Sequence, residues 1–217
     1  MEDSDLALVR ALQAGDDRAF DKLLRRHTDA VYRFVRRYVE SDADAEDLTQ
    51  EAFVRAYFRV RDFGSRAKFV TWLFRIAHNL CIDFLRSRRF LGVRKPFSVD
   101  EPDISKQMAG LKSTLASPAQ ELTKREKVAA VDRAIQQLPV NLRIPLVLVA
   151  VEGFSYEAAA SVLQISSKAV EMRLYRARKV LLKLWIFNPR FFRKRDVCNF
   201  GKCLSLFSDV LSDIEGL

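Results

Sequence analysis

A concentrated run of positive charge lies toward the C-terminal end of the chain. Residues 165–195 contain ten lysines and arginines and a single acidic residue, Glu171. The whole chain of 217 residues has a formal charge of +9. This run therefore accounts for the net charge, because the positive and negative charges of the remaining residues cancel. Ammonium and guanidinium groups bind phosphates, and such a surface suits a polyanion. Charge alone does not distinguish a nucleic acid from an anionic membrane. The two are distinguished by the type of structural element that carries these basic groups.

The apolar spacing predicts that these cations lie on one side of a helix. A stripe of apolar residues recurs at steps of four and three: Val170, Leu174, Ala177, Leu181 and Leu184. We expect this stripe to pack inward. The opposite face then carries Lys168, Met172, Tyr175 and Lys179.

A shorter helix is expected directly before the basic one. Ser155 is a suitable N-cap for a helix over residues 156–163, and Ser166 is a suitable N-cap for the longer helix. Gln164 and Ile165 would form the turn between them, while Gly153 would close the preceding helix in the left-handed conformation. Two helices joined by a short turn, with the second one basic, indicate a DNA-binding helix-turn-helix. The alternative is a solvated basic helix.

A recognition helix reads base edges with its first turns and contacts phosphates with its later turns. The candidate base-reading residues are Ser167, Lys168, Glu171 and Met172. The candidate phosphate-binding residues are Arg173, Arg176, Arg178 and Lys179. Among the readers, Glu171 has a carboxylate that can accept a hydrogen bond from the amino group of cytosine.

A second stretch interleaves aromatic and basic side chains, as FVTWLFRIAHNLCIDFLRSRR at residues 69–89. We expect a helix from about residue 67 to residue 89. Rings and cations together suit single-stranded DNA, since bases stack on rings while cations follow the phosphates. The alternative is a core helix with a basic wet side, and for Trp72 and Phe84 we favour that interpretation.

The remaining periodic segments also predict helices. A short helix is expected around residues 6–13, with Gly15 and Asp16 or Asp17 separating it from a long helix that includes Tyr38. Another helix opens at Ser41 or Asp42 with acids in its first turns. A further helical module begins near residue 123, pauses at Pro139 and stops at Gly153.

We therefore expect an all-α protein of two small helical domains joined by a flexible linker, with the helix-turn-helix in the second. Only seven glycines and six prolines are present, and strand-like alternation is lacking. The first domain would span residues 5–90 and the second residues 122–185. Residues 91–121 lose helical periodicity and accumulate glycine and proline, which is typical of a linker. Residues 186–217 form an unassigned C-terminal extension.

Several classes of protein and site do not fit the sequence. It contains no P-loop, nucleophile elbow or HExxH motif, so we expect no enzyme. We also expect no cofactor and no metal site, because Cys198 and Cys203 lack a zinc-binding spacing and the histidines are far away. The longest apolar run, at residues 144–151, is far shorter than the ~20 residues that span a bilayer. With three cysteines and no signal peptide, we expect a cytoplasmic protein.

Three sequence blocks resemble one family when they are taken together. They are DAEDLTQEAFVRAY at residues 44–57, the stretch at residues 69–89, and LPVNLRIPLVLVAVEGFSYEAAASVLQISSKAVEMRLYRARKVL at residues 138–181. In this order and spacing they resemble the extracytoplasmic-function sigma factors, a small two-domain class of bacterial sigma factor. The resemblance covers about residues 5–185.

The resemblance implies a promoter-recognition subunit that binds RNA polymerase core and catalyses nothing itself. The helix at residues 69–89 and the loop before it would open the −10 element and capture a flipped base. The residues implied there are Arg66, Lys68, Trp72, Arg75 and Asn79. Asn79 is the preferred polar contact because its amide both donates and accepts, although an ordinary surface amide is the alternative. The helix-turn-helix would read the −35 element as duplex DNA.

The same resemblance implies where the protein partners bind. The acidic helix would contact the clamp helices of the largest polymerase subunit through Asp47, Leu48, Gln50 and Glu51. The alternative is a solvated face with ordinary capping acids. The linker would run near the RNA exit channel, where Asp100, Glu101 and Asp103 would mimic nucleic-acid charge. An anti-sigma factor would hold the protein inactive.

Two residues depart from the usual family pattern. Gln164 stands where the family often has glycine, so either the turn accepts a non-glycine residue at positive φ or its geometry differs. Glu171 stands where many members have a basic residue, so the preferred −35 sequence cannot be copied from the commonest family motif.

The extension at residues 186–217 has no counterpart in the resemblance. It contains a basic aromatic cluster around Phe191 and Phe192, and an apolar face for a terminal helix after Gly201. We consider a regulatory tail, a redox pair of Cys198 and Cys203, and a loosely packed appendage.

Two further functions stay open at this point. One is a sigma-like decoy that sequesters an anti-sigma factor without touching promoters, which the intact basic and aromatic residues argue against. The other is a simple helix-turn-helix transcriptional regulator that dimerises through its first domain, which leaves the polymerase-binding resemblance unexplained.

Overall fold

The computed structural model describes residues 4–64, 68–90 and 124–186, and each regular element in these ranges is helical. The all-α prediction is therefore confirmed for this part of the chain. The predictions for Arg66, the linker at residues 91–121, and the extension beyond residue 186 with Cys198 and Cys203 lie outside the described residues.

The helices assemble into two compact units. The described residues of Met1–Pro96 and Phe154–Val170 form the first, and those of Phe97–Gly153 and Glu171–Leu217 form the second. The first unit thus includes a segment that we expected in the second domain, and the expected domain boundaries remain a prediction.

Helices α1 (Ser4–Gln13) and α2 (Asp17–Val35) begin the first unit and pack against each other. Between them Gly15 adopts a φ of +100°, and the side chain of Asp16 accepts a 3.1 Å hydrogen bond from the backbone N–H of Arg18. These features confirm the expected break and cap. Helix α2 ends before Tyr38, which lies buried in the following turn.

Helix α3 (Asp42–Arg59) begins at the expected cap, since the Oγ of Ser41 accepts from the backbone N–H of Asp44. Two of its first-turn acids have basic partners: Asp42 lies 2.9 Å from Arg36, and Asp44 lies 3.0 Å from Arg88. A 3-10 turn, Val60–Asp62, follows the helix and was not expected from the sequence. Gln13 of α1 holds this turn by donating from Nε2 to the carbonyl oxygens of Val60 and Phe63, at 2.7 and 3.1 Å.

Helix α4 (Phe69–Phe90) supplies much of the core of the first unit and matches the expected range closely. Its residue Phe74 is almost fully buried, with its ring 4.9 Å from the ring of Phe34 and 5.0 Å from that of Phe154. Burying a side chain of this size contributes about 1.5–3 kcal/mol. Helix α4 thereby packs against α2 on one side and against the segment that begins at Phe154 on another.

The second unit contains α5 (Lys124–Gln137), α6 (Val140–Leu146) with a π-helical continuation, Val147–Val151, and the later turns of α8 (Ser167–Ile186). The guanidinium of Arg143 donates to the carbonyl oxygens of Gln136 and Leu138, which have no helical partner at the end of α5. The following turn is a wider, π-helical one, because the N–H of Glu152 donates to the carbonyl oxygen of Val147, five residues earlier. The expected pause at Pro139 and stop at Gly153, whose φ is +67°, are confirmed.

Within the described residues, no helix is both long enough and apolar enough to cross a membrane.

Candidate nucleic-acid interface

The helix-turn-helix has the caps that the sequence predicts. Helix α7 (Tyr156–Leu163) begins at Ser155, whose Oγ accepts a 3.1 Å hydrogen bond from the N–H of Ala158. Helix α8 begins after Ser166, whose Oγ accepts from the N–H of Ala169 at 3.1 Å. Ser155 also accounts for part of a lowered pKa at Glu157: hydrogen bonding to its own backbone N–H is the larger cause, and the Ser155 hydroxyl is the second.

The turn between the helices is left-handed. Gln164 has φ 55° and ψ 41°, and the next N–H, that of Ile165, donates to the carbonyl oxygen of Ala160 at 3.1 Å. This bond back across the end of α7 is the usual way to close a helix at a left-handed residue. The turn therefore keeps the geometry of a glycine turn with glutamine in its place.

Helix α8 presents the predicted division into a buried stripe and an exposed face. Four residues of the expected inward stripe are buried: Val170, Leu174, Ala177 and Leu181. The fifth, Leu184, has a side chain outside the described set. Of the candidate base-reading residues, Lys168, Glu171 and Met172 are exposed and Ser167 is half-buried. The first turns of α8 thus expose three side chains able to reach a base edge.

The candidate phosphate-binding residues differ in their surroundings. Lys179 is exposed, whereas Arg173, Arg176 and Arg178 are half-buried. Burial lowers the pKa of the Arg173 guanidinium, and the neighbouring Arg176 lowers it further. An arginine keeps its charge through a modest shift. The Arg173 and Arg176 guanidinium groups therefore lie close enough for the charge of one to affect the pKa of the other.

On α4 the candidates Trp72, Arg75 and Asn79 lie at steps of three and four on one helix face, and Lys68, just before the helix, continues this spacing. Lys68, Arg75 and Asn79 are exposed. Trp72 is half-buried, with its ring 5.3 Å from that of Phe63 and 5.8 Å from that of Phe69. Trp72 thus packs partly against the core, in line with the interpretation of this helix as a core helix, and part of its side chain stays accessible.

One hydrogen bond within the first unit joins two of the residues that sequence reasoning had singled out separately. The Nε2 of Gln164 donates to the Oδ1 of Asn79 over 2.8 Å. The candidate base-binding amide on α4 therefore meets the turn of the helix-turn-helix.

The acidic candidates on α3 are not equivalent. Asp47 and Gln50 are exposed, and Glu51 forms a 2.7 Å ion pair with Arg55 one turn later. Leu48 is buried, so its side chain supports the helix from inside rather than facing a partner.

Four exposed large apolar or aromatic residues were not among the candidates, and one of them is Leu24 on α2, which is 37% exposed. Tyr175 on α8 is 56% exposed, and on α3 Val54 and Phe58 are 48% and 75% exposed. Tyr175 lies on the predicted outer face of α8, so its position was available from the sequence. Val54 and Phe58 continue the helical spacing from Asp47, a periodicity that could have shown them.

The described residues include no cluster of three or more metal-binding side chains. Cys81 is buried, and burial raises the pKa of its thiol well above the ordinary value. Its thiol therefore stays protonated and unreactive at neutral pH.

Two family models match the chain. One, described as Sigma-70 region 2, matches residues 23–90, and the other, described as Sigma-70, region 4, matches residues 129–181. The first contains α4 and the acidic face of α3, and the second contains most of α5 together with the helix-turn-helix.

Individual relatives extend over nearly the whole described chain. The RNA polymerase sigma-H factor of Pseudomonas aeruginosa PAO1 is 36% identical over 185 residues, covering 84% of this chain and 94% of the relative. The ECF RNA polymerase sigma-E factor of Escherichia coli K12 is 33% identical over 181 residues, covering 82% and 92%. Among solved structures, CnrH in complex with the cytosolic domain of CnrY is 29% identical with a TM-score of 0.61, covering 86% of this chain and 99% of CnrH.

Proposed function

This chain belongs to the extracytoplasmic-function class of RNA polymerase sigma factors, and we propose that it binds core polymerase and directs it to a two-part promoter. The observation that carries the proposal is the exposed face of α8, where Lys168, Glu171 and Met172 follow a capped helix-turn-helix. Base-reading groups at the start of such a helix are what duplex recognition requires.

The −35 element is read by α8. Ser167, Lys168, Glu171 and Met172 contact base edges, and the later residues bind phosphates: Arg173, Arg176, Arg178 and Lys179. Support comes from the exposure of the first turns and from the proximity of the two cations Arg173 and Arg176, which suits a phosphate. Tyr175, exposed between these two groups, joins the interface and contacts either a base methyl group or the sugar-phosphate backbone.

The −10 element is read as a single strand along one face of α4. Lys68 and Arg75 bind phosphates there, and Arg66, although outside the described residues, belongs to the same proposed set. Trp72 is half-buried and offers the accessible part of its ring for stacking on a base, while Phe63 and Phe69 hold the ring in place. Asn79 binds a flipped base through its amide.

Core polymerase binds the acidic face of α3. Asp47 and Gln50 are exposed there, Glu51 is held in position by Arg55, and Leu48 fixes the helix from its buried side. Charge on such a surface guides association with a basic partner.

Regulation by an anti-sigma factor fits the family. The similar protein CnrH was solved with a bound protein segment, the cytosolic domain of CnrY. A protein that holds this chain would keep it from core polymerase until a signal releases it. We further propose that the chain is cytoplasmic and has no catalytic activity of its own, because the polymerase carries out the chemistry.

Reconstitution with sigma-free core polymerase tests this function. The purified full chain is added to core, promoters are selected from fragmented host DNA, and transcript start sites are mapped. We expect a stable complex with core and initiation at a small set of promoters that share two sequence elements. Absence of both core binding and specific initiation would overturn the proposal.

Variants separate a sigma factor from a decoy. Asp47→Asn should weaken core binding, whereas Asp21→Asn on α2 serves as the control because it removes the same charge from an exposed helical position outside the proposed surface. A decoy would show neither core binding nor a difference between these variants.

A further inference from the structure

The last residue of α1, Gln13, reaches the 3-10 turn that follows α3. Its Nε2 donates to the carbonyl oxygens of Val60 and Phe63, at 2.7 and 3.1 Å. These acceptors lie 47 and 50 residues further along the chain, so the contact depends on the packing of the unit and not on local sequence. One side-chain amide, which has two N–H groups, therefore ties both ends of the turn to α1.

The turn has little hydrogen bonding of its own. It is three residues long, Val60–Asp62, and is closed by a 3.1 Å bond from the N–H of Phe63 to the carbonyl oxygen of Val60. The hydrogen bonds of a 3-10 turn have poorer geometry than those of an α-helix, and the last carbonyl oxygens of a helix have no partner within it. The two bonds from Gln13 therefore restrain the turn more firmly than its own backbone does.

The backbone around Gln13 is fixed independently of the turn. After α1, Gly15 has a φ of +100°, its N–H donates to the carbonyl oxygen of Leu12, and the N–H of Asp16 donates to that of Ala11, both at 3.0 Å. This pair of bonds is the usual closure of a helix at a left-handed glycine. Leu12 is also buried. The amide of Gln13 thus extends from a rigid helix end.

The turn positions the ring of Phe63, which supports Trp72. The Phe63 ring is buried and lies 5.3 Å from the ring of Trp72 and 6.0 Å from that of Phe69. The rings of Phe69 and Trp72 are 5.8 Å apart, so the three rings pack on one another. Phe63 and Phe69 are buried, whereas Trp72 is half-buried. A displacement of the Phe63 backbone would therefore change the support beneath the accessible part of the Trp72 ring.

We infer that Gln13 is a positioning residue for recognition of the −10 strand, acting through the 3-10 turn and Phe63 on Trp72. The amide keeps the Phe63 ring against Trp72, and the accessible part of the Trp72 ring then stays in the orientation on which a base stacks. Without the amide, a smaller fraction of molecules holds that orientation, and the apparent Kd for single-stranded DNA rises accordingly. This inference rests on the proposed role of Trp72.

The first test follows Trp72 by fluorescence in the full chain. The chain has two tryptophans, so Trp185→Phe leaves Trp72 as the single one. In that background, Gln13→Leu removes both donors, and Gln13→Asn keeps an amide that is one methylene too short for the contact. We expect both variants to increase the quenching of Trp72 by acrylamide under native conditions, with the helical circular dichroism unchanged. Equal quenching in the parent and both variants would overturn the inference.

Two control variants separate positioning from a general loss of stability. Gln137→Leu makes the same chemical change at an exposed position of α5. Ala7→Gly, at an exposed position of α1, weakens the helix but leaves the amide of Gln13 in place. Both controls should leave the quenching of Trp72 unchanged. If Ala7→Gly raises the quenching as much as Gln13→Leu does, Gln13 acts only by stabilising α1 and the inference is wrong.

The second test measures the binding of these chains to a fluorescein-labelled pool of random single-stranded DNA. We expect Gln13→Leu and Gln13→Asn to bind about threefold to tenfold more weakly than the parent, which is the range for the net loss of a hydrogen bond. Gln137→Leu and Ala7→Gly should bind like the parent.

Trp72→Leu, which keeps an apolar side chain in the packed position, separates this inference from the proposed function. If Trp72→Leu weakens binding to the pool while both Gln13 variants bind like the parent, the inference fails and the role of Trp72 stands. If Trp72→Leu binds like the parent, the role of Trp72 in DNA binding fails, and the inference fails with it.

Discussion

Asp5 on α1 and His27 on α2 are joined by a 2.9 Å contact between Oδ2 and Nε2, with side chains only 9% and 10% exposed. The other carboxylate oxygen of Asp5 is bonded to Arg26. A buried carboxylate with two partners on the next helix fixes how α1 lies on α2, and α1 in turn carries Gln13, which holds the 3-10 turn after α3.

Replacing Asp5 with alanine should destabilise the first unit. The change leaves the buried His27 without its partner, which we expect to lower the free energy of unfolding by about 2–4 kcal/mol. Urea unfolding followed by circular dichroism measures it. Asp29→Ala, at an exposed position of α2, should stay within about 0.5 kcal/mol. Equal effects of the two substitutions would show that the buried pair does not stabilise the fold.

Removing the helix caps should weaken the helix-turn-helix. Ser155→Ala and Ser166→Ala each lose a hydrogen bond to an N-terminal N–H, at a cost of about 1 kcal/mol, while glycine at either position should cost only about a few tenths. Ser161→Ala, at an exposed position within α7, is the control and should have little effect. Thermal unfolding provides the measurement, and a control variant as unstable as the cap variants would contradict the assignment.

Substitutions on α8 should divide into two kinds. Lys179→Ala should weaken binding to all duplexes. It should also make the slope of log K against log salt concentration less steep, by the amount that corresponds to about one phosphate contact. Lys168→Ala and Glu171→Ala should instead change which sequences are preferred. Binding to a library of duplexes at several salt concentrations distinguishes them, with Lys22→Ala on α2 as a charge-matched control. If each of these substitutions changes the affinity for every duplex sequence by the same factor, the division is wrong.

Stability should fall in alkaline solution. Burial raises the pKa of the Cys81 thiol above its ordinary value of 9.0 and that of Tyr38 well above 10.0, with burial the larger cause for Tyr38. The folded protein therefore holds protons that the unfolded chain releases, so the stabilising effect is complete below pH 9 and is lost as the pH rises above it. The slope should approach about 1.4 kcal/mol per pH unit for Cys81 above pH 9, and Tyr38 should add the same slope only above pH 10.

Cys81→Ala should flatten this slope between pH 9 and 10, even though it also removes some packing. Unfolding in urea at several pH values checks it, because the slope rather than the absolute stability is compared. An unchanged slope would show that the thiol already titrates near its ordinary pKa in the folded protein.

Local structure was largely available from the sequence. Serine and aspartate before a periodic run predict a cap because their oxygens accept from unpaired N–H groups, and Asp16, Ser41, Ser155 and Ser166 all do so. Apolar spacing on α8 likewise predicted which residues are buried. The 3-10 turn and the partners of Asp42 and Asp44 were not predicted, since they depend on chain segments far away.

The helix-turn-helix, its caps and the charge on its second helix were determined by the sequence, because short-range hydrogen bonding and periodicity decide them within a few residues. The meeting of Asn79 with Gln164 was decided only by the tertiary structure. Periodicity tells which face of a helix is covered but not which element covers it, and a contact across 85 residues depends on packing of the whole unit.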